Sequence, residues 1–255
     1  VRTLGLESGL RTAYSRVLGG VSDEGIVTHE IGGVAAAYNV SSGLEVQRFR
    51  NLMAESDVIE TLLNDVKPDD VFYDVGANVG LYTCFLSQVV EETVAFEPHP
   101  VNLKRLKENV ELNDLSNVHV RAEALSNVDG TAELAVTGAS VAGEGTHSLA
   151  TGSEDRSVEI ETVRGDSLDD QVPSPDVVKI DVEGAELNVL QGLKHSLLDC
   201  RLCYVEVHPD RIGKYGGTAA DVRSFLSNLG FEMELIYERE EEEYFLRAKR
   251  RSNDE

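Results

Sequence analysis

The sequence predicts an α/β fold: an open, mostly parallel sheet with helices on both faces and a C-terminal antiparallel hairpin. Three observations carry that prediction. Between residue 70 and about residue 208, short strand-like apolar runs alternate with segments of helical period, the pattern of parallel strands joined by right-handed helical crossovers. The run Val71-Phe72-Tyr73-Asp74-Val75-Gly76-Ala77-Asn78-Val79-Gly80 passes through a two-glycine turn into the helical stripe Leu81, Phe85, Leu86, Val89. A strand ending in such a turn is the usual entrance to a nucleotide site in a Rossmann-like sheet. Residues 231–237 and 243–248 read as the closing hairpin, with the acidic run 238–242 as its solvated turn.

Taken in order, residues 4–18 place Leu6, Leu10, Tyr14 and Val17 on one helical face, ended by Gly19-Gly20. Residues 25–31 and 34–40 are two short strands around Gly32-Gly33, a hairpin signal. Residues 45–66 read as one or two helices that stop before Pro68. These first 68 residues are expected to form a small helical and hairpin extension, or cap, on a main domain spanning 69–250. In that domain strand 71–75 precedes helix 81–89, and strand 93–97 precedes helix 101–112. Strand 118–122 follows. Strand 177–180 then precedes helix 185–193, and strand 202–208 comes next. An insertion at about 131–162 offers two strands, 131–136 and 158–162, around a Gly/Ser/Thr-rich loop at 138–152, a place for a lid. Residues 218–229 form a helix capped by Thr218 and ended by Gly230.

Acids outnumber bases 46 to 23, for a formal net charge of −23, and most of the bases are Arg. That balance argues against electrostatic binding to nucleic acid or to anionic membranes. It does not signal disorder, because the apolar runs are periodic. An acid-rich, Lys-poor surface over a well-patterned core points to a halophilic microbe, where salt screens self-repulsion, with an acidic mesophilic protein as the alternative. No stretch approaches the ~20 apolar residues of a membrane span. Residues 1–20 lack the apolar core of a signal peptide, so a cytoplasmic location is expected. Cys200 and Cys203 make a lone C-x-x-C with no second pair and are read as buried thiols.

The chemistry concentrates at strand ends. The turn after Asp74 is spaced D-x-G-x-x-x-G, which is neither a P-loop nor G-x-G-x-x-G. Gly76 and Gly80 let the backbone turn tightly and a ligand come close. An acid ahead of them would repel a pyrophosphate but suits a ligand with an ammonium group or a positive charge, such as S-adenosylmethionine. Glu97 ends the next strand about 20 residues on, where a carboxylate accepts hydrogen bonds from ribose hydroxyls. Val177-Val178-Lys179-Ile180-Asp181-Val182-Glu183-Gly184-Ala185-Glu186 is a second dense constellation. Its Asp181 and Glu183 are expected at the carboxyl edge of the sheet. Glu206 and His208 alternate along strand 202–208 and so point the same way. That location alone favours His208 over His29, His99, His119, His147 and His195.

The ordered motifs D-V-G-A-N-V-G, F-E-P and K-I-D-V-E-G-A-E resemble those of the FkbM family of S-adenosylmethionine-dependent methyltransferases, over about residues 71–208. The resemblance implies a class I methyltransferase sheet, S-adenosylmethionine as cofactor, and O-methylation of a hydroxyl on a small molecule, sugar or glycan. It implies that Asp74, Gly76, Asn78 and Gly80 surround the methionine end, that Glu97 holds the ribose, and that Glu123 and Ala124 lie against the adenine. It places Asp181 near the methyl donor. Since an alcohol must lose its proton, Asp181 or His208 is the expected base, with Glu183 orienting the substrate. Asp181, Glu183 and His208 holding a divalent cation is a lower-ranked reading, because carboxylates equally orient a sugar; no metal is expected. The alternatives are a nicotinamide-dependent oxidoreductase, which the missing G-x-G-x-x-G disfavours, and a non-catalytic scaffold, which the intact Asp74, Glu97 and Asp181 disfavour. The first 68 residues carry no part of the resemblance, and oligomeric state is left open.

Overall fold

The computed structural model describes residues 25–41, 55–135, 157–168, 170–239 and 243–251. The helix expected at 4–18, the first part of that expected at 45–66 and the loop 138–152 lie outside them. The chain begins with the hairpin β1 (Ile26–Ile31) and β2 (Val34–Asn39), then helix α1 (Ser56–Asp65). The hairpin turns on Gly32 and Gly33 at φ +58° and +83°, the left-handed pair that a two-residue turn requires. Next come β3 (Val71–Val75), α2 (Leu81–Leu86), β4 (Glu92–Phe96), α3 (Pro100–Leu112) and β5 (Val118–Arg121). After them lie β6 (Ala124–Leu125), β7 (Gly130–Ala135), β8 (Ser157–Val163), β9 (Val177–Ile180), α4 (Glu186–Gly192) and α5 (Ser196–Asp199). The chain closes with β10 (Leu202–Val207), α6 (Pro209–Ile212), α7 (Ala219–Asn228), β11 (Phe231–Arg239) and β12 (Glu243–Arg250).

Seven strands form the main sheet in the order β11-β12-β10-β9-β3-β4-β5. β10, β9, β3, β4 and β5 run parallel, and β12 is antiparallel to both β10 and β11. The chain steps outward from β3 to β4 and β5, then returns to β9 on the other side of β3. β3 and β9 therefore flank the point where strand order reverses, which is where an open α/β sheet leaves a crevice at its carboxyl edge. Within the described residues, expected and observed elements agree to within a few residues. α5, α6 and β6 escape the sequence patterns because two to four residues cannot display a period.

β9 and β10 are buried along their whole lengths, which is why they read as apolar runs rather than alternating ones. The two-residue period sorts their side chains. Tyr73, Val178 and Val205 pack on one face with Val189 of α4 and Leu226 of α7. Phe72, Val177, Leu202 and Tyr204 pack on the other with Ile59 and Leu62 of α1, Phe85 of α2 and Val27 and Tyr38 of the hairpin. This second face also carries a polar row. Asp74, Lys179 and Glu206 stand two residues beyond Phe72, Val177 and Tyr204, and Asp74 is in direct register with Lys179. The two insertion strands, β7 and β8, join the preceding β6 in a separate three-stranded sheet, β6-β8-β7. Cys84, Cys200 and Cys203 are buried free thiols. Among the described residues no helix is long and apolar enough to cross a membrane.

Candidate active site

At the carboxyl ends of β3, β4 and β9 lies a cleft of about 710 Å³ of empty space, part of it open to solvent. Gly76, Asn78, Glu97, Asn102, Asp181 and Glu183 form its polar lining. Phe96, Leu125, Leu134 and Ile160 form an apolar wall, so the small sheet of β6, β7 and β8 closes one side. Ala124 also lines it.

The glycine turn is shaped by its neighbours. Gly76 N and Ala77 N both donate to Phe96 O, at 3.0 and 2.9 Å, which ties the turn to the end of β4. Gly76 has φ +77°, and a methyl group on it would fall 1.8 Å from Asp181 O. The two loops at the strand-order reversal thus touch through backbone, leaving no room for a side chain. Asn78 also has positive φ, +53°. Its N–H donates to Glu97 Oε2 at 2.8 Å, while its own Oδ1 is buried with no protein partner. Glu97 Oε1 accepts from His99 N at 2.8 Å. Burial pushes the Glu97 carboxyl up to about 8, outweighing those two N–H donors and Lys179. An apolar wall, a carboxylate at the end of β4 and an orphaned amide oxygen suit a nucleoside with a polar, cationic tail, so the residues present fit S-adenosylmethionine.

Other residues singled out in the sequence face elsewhere. Asp74 is fully buried and is not part of the cleft lining. Its Oδ2 accepts from Thr83 Oγ1 at 2.6 Å, and its Oδ1 lies 3.4 Å from Lys179 Nζ. Gly80, at φ +87°, starts α2 with Leu106 packed against it. Glu123 pairs with Arg121, which also donates to Gln171 Oε1 at 3.1 Å. Its charge is satisfied there, outside the cleft lining. His208 is buried behind the cleft. Its Nδ1 lies 2.8 Å from Glu186 Oε1, and its Nε2 lies 3.6 Å from Glu183 Oε2 and 3.7 Å from Glu243 Oε2. Burial opposes a charge on this imidazole, but the hydrogen bond to Glu186 and the nearby charges of Asp181, Glu186 and Glu243 prevail and raise its pKa. Glu183, at φ +56°, is ion-paired with Arg211.

Lys179 and Glu186 were not singled out from the sequence. Lys179 Nζ donates to Gly76 O at 3.1 Å, lies 3.4 Å from Asp181 Oδ2 and sits 4.8 Å from the Tyr82 ring centroid. It therefore joins the glycine turn to the fourth parallel strand. The signal was present as a lysine inside the apolar strand Val177-Val178-Lys179-Ile180. Glu186 is fully buried and also accepts from Gly184 N at 2.7 Å. Glu206 is buried beneath them. Its carboxyl is pushed well above the ordinary range by burial and by Asp181, Glu55 and Glu243. Glu55 and Glu243 come from opposite ends of the chain, and no local motif marks either.

Comparisons with known proteins agree with this geometry. The family described as Methyltransferase FkbM domain matches residues 74–233, which hold the glycine turn, Glu97, Asp181 and His208. The hexuronic acid methyltransferase AglP of Haloferax volcanii is 35% identical over 227 residues, 88% of this chain and 89% of that protein. Methyltransferase 1 of Beauveria bassiana is 28% identical over 148 residues, 49% of this chain and 59% of that one. Two solved structures share the fold. The methyltransferase FkbM of Methylobacillus flagellatus gives a TM-score of 0.51 at 15% identity, over 74% of this chain and 46% of that chain. The magnesium protoporphyrin IX methyltransferase of Synechocystis, solved with its methyl donor bound, gives 0.51 at 15% identity, over 84% and 86%. A family match across more than half the sequence, over a cleft that fits the cofactor, leads to one conclusion: this chain belongs to the FkbM family of S-adenosylmethionine-dependent methyltransferases.

Proposed function

We propose that the chain methylates an oxygen of a hexuronic acid, within a glycan or a glycan precursor. The observation that carries this reading is the alignment with the Haloferax hexuronic acid methyltransferase along nearly the full length of both chains. The bound cofactor supplies a methyl group already activated on a sulfonium. Asn78 and Glu97 would hold its polar parts and Phe96, Leu125 and Ile160 its base, while Asp181 and Glu183 face the acceptor. The protein's task is then alignment and exclusion of water. A hydroxyl acceptor must also lose a proton. Asp181 is the carboxylate at the cleft that can take it, and His208 stands behind as a buried partner. A uronate carboxylate is already ionised and needs no base.

Labelled cofactor and hexuronic acid glycosides in molar KCl should yield one methylated product per acceptor, and its lability to mild alkali separates ester from ether. For a hydroxyl acceptor, Asp181→Asn should lower kcat by about 10²-fold or more while leaving S-adenosylhomocysteine affinity nearly unchanged. A folded enzyme that binds S-adenosylhomocysteine but methylates no hexuronic acid, free or glycosidic, would sink the acceptor assignment.

Cofactor binding should also depend on pH. With its folded value raised to about 8, Glu97 contributes stability that is fully present below the ordinary carboxylate range. That stability is lost as pH rises through about 8. Ribose hydroxyls donate to the ionised form, so S-adenosylhomocysteine affinity should rise about tenfold or more between pH 6.5 and 8.5, since each pH unit carries ~1.4 kcal/mol. Calorimetric titration of wild type and Glu97→Gln tests this. A flat wild-type profile together with undiminished binding by Glu97→Gln would remove Glu97 from the ribose role.

A further inference from the structure

Behind the cleft wall, Asp181, Glu206 and His208 converge, with one ligand atom from each within 4.8 Å of the others. Two further observations point to a bound ion. Glu206 is 4% exposed, and among the described residues its carboxyl meets three like-charged groups, Asp181, Glu55 and Glu243, against the single cation Lys179, which acts on it through charge without a direct ion pair. A buried carboxylate left that way is neutralised either by a proton or by a cation, and a bound cation displaces the proton. His208 is also held as metal-bound imidazoles are, with Nδ1 against the Glu186 carboxylate at 2.8 Å. That leaves Nε2, which faces the Glu183 and Glu243 oxygens at 3.6 and 3.7 Å, beyond hydrogen-bond range. Adjacent donor atoms around an octahedral ion at about 2.1 Å stand about 3.0 Å apart, so side-chain movement of about one to two ångströms closes the set and leaves the other positions open.

We propose that Asp181, Glu206 and His208 bind one divalent cation of the Mn²⁺ class, whose open coordination face turns to the cleft through Asp181. Asp181 is the shared member, because it lines the cleft and belongs to the cluster. Lys179 engages its Oδ2, leaving Oδ1 for the ion. Imidazole mixed with carboxylates suits a first-row divalent ion better than Ca²⁺ or Mg²⁺. The ion's role in catalysis rests on the acceptor reading above. A uronate approaching Asp181 and Glu183 meets like charge, and a cation at Asp181 reverses that sign and offers the acceptor oxygen a ligand position.

The test is titration of the chelator-treated full chain with Mn²⁺ in molar KCl, read from the spectroscopic signal of free Mn²⁺, with S-adenosylhomocysteine titrated in parallel. High salt suppresses loose binding to the acidic surface. One saturable site per chain is expected, weakened at least tenfold by Glu206→Gln and likewise by Asp181→Asn, two isosteric changes that serve as checks on each other. No saturable site on the folded wild type overturns the proposal. So does a site that survives undiminished in whichever variants fold. S-adenosylhomocysteine should bind the metal-free protein in every case. If it does not while Mn²⁺ does, the cofactor assignment fails and the ion site stands.

Discussion

Gly76→Ala should destabilise the protein by about 4 kcal/mol or more, a loss reserved for a few named mechanisms, and should abolish S-adenosylhomocysteine binding. Two effects combine there. The backbone sits at φ +77°, where a side chain is strained, and the new methyl would fall 1.8 Å from Asp181 O and 2.9 Å from Asp181 C. Both contacts are backbone on a central strand end, so nothing flexible can yield. The turn must pull away from β9, and its hydrogen bonds to Phe96 O go with it. For a chain of this size, each kcal/mol lowers Tm by about 2–4 °C, so a fall of about 10–15 °C is expected. Gly33→Ala is the internal control. It has φ +83° and nothing within 4 Å of a new methyl, so it carries only the left-handed strain, about 1–2 kcal/mol. Equal losses in calorimetry would show that the contact between the two loops does not dictate glycine at position 76.

The second large effect is expected at Lys179. Replacing it by Met keeps most of the volume and removes the cation between Asp74 and Asp181. Asp74 Oδ1 is then left in the core without a compensating charge. Breaking a buried pair from one side typically costs about 3–5 kcal/mol, because the surviving charge stays desolvated. Replacing both partners removes that problem, so Lys179→Met with Asp74→Asn should be markedly more stable than Lys179→Met alone. Thermal unfolding of the two single variants and the double gives the coupling directly. Strictly additive losses would mean that Asp74 and Lys179 are independent, against their 3.4 Å contact and their shared register.

The sequence by itself determined the order of elements, the parallel sheet, the closing hairpin and the position of the cleft. These rest on local physics. β-branched runs, helical periods and glycine turns act within a few residues, and a ligand crevice follows once strand order reverses. Gly76, Asn78, Glu97, Ala124, Asp181 and Glu183 were legible for the same reason, and all six line the cleft. Which way the other acids turn was decided only by tertiary structure. Asp74 points into the core because register sets it opposite Lys179, and Glu123 is drawn to Arg121. Glu55 and Glu243 both act on Glu206, although almost 190 residues of chain separate them and only the packing of the N-terminal elements and β12 on β10 brings them together. Charge pairing between buried groups depends on which strands become neighbours and in what register, and neither is encoded in the residues on either side of a motif.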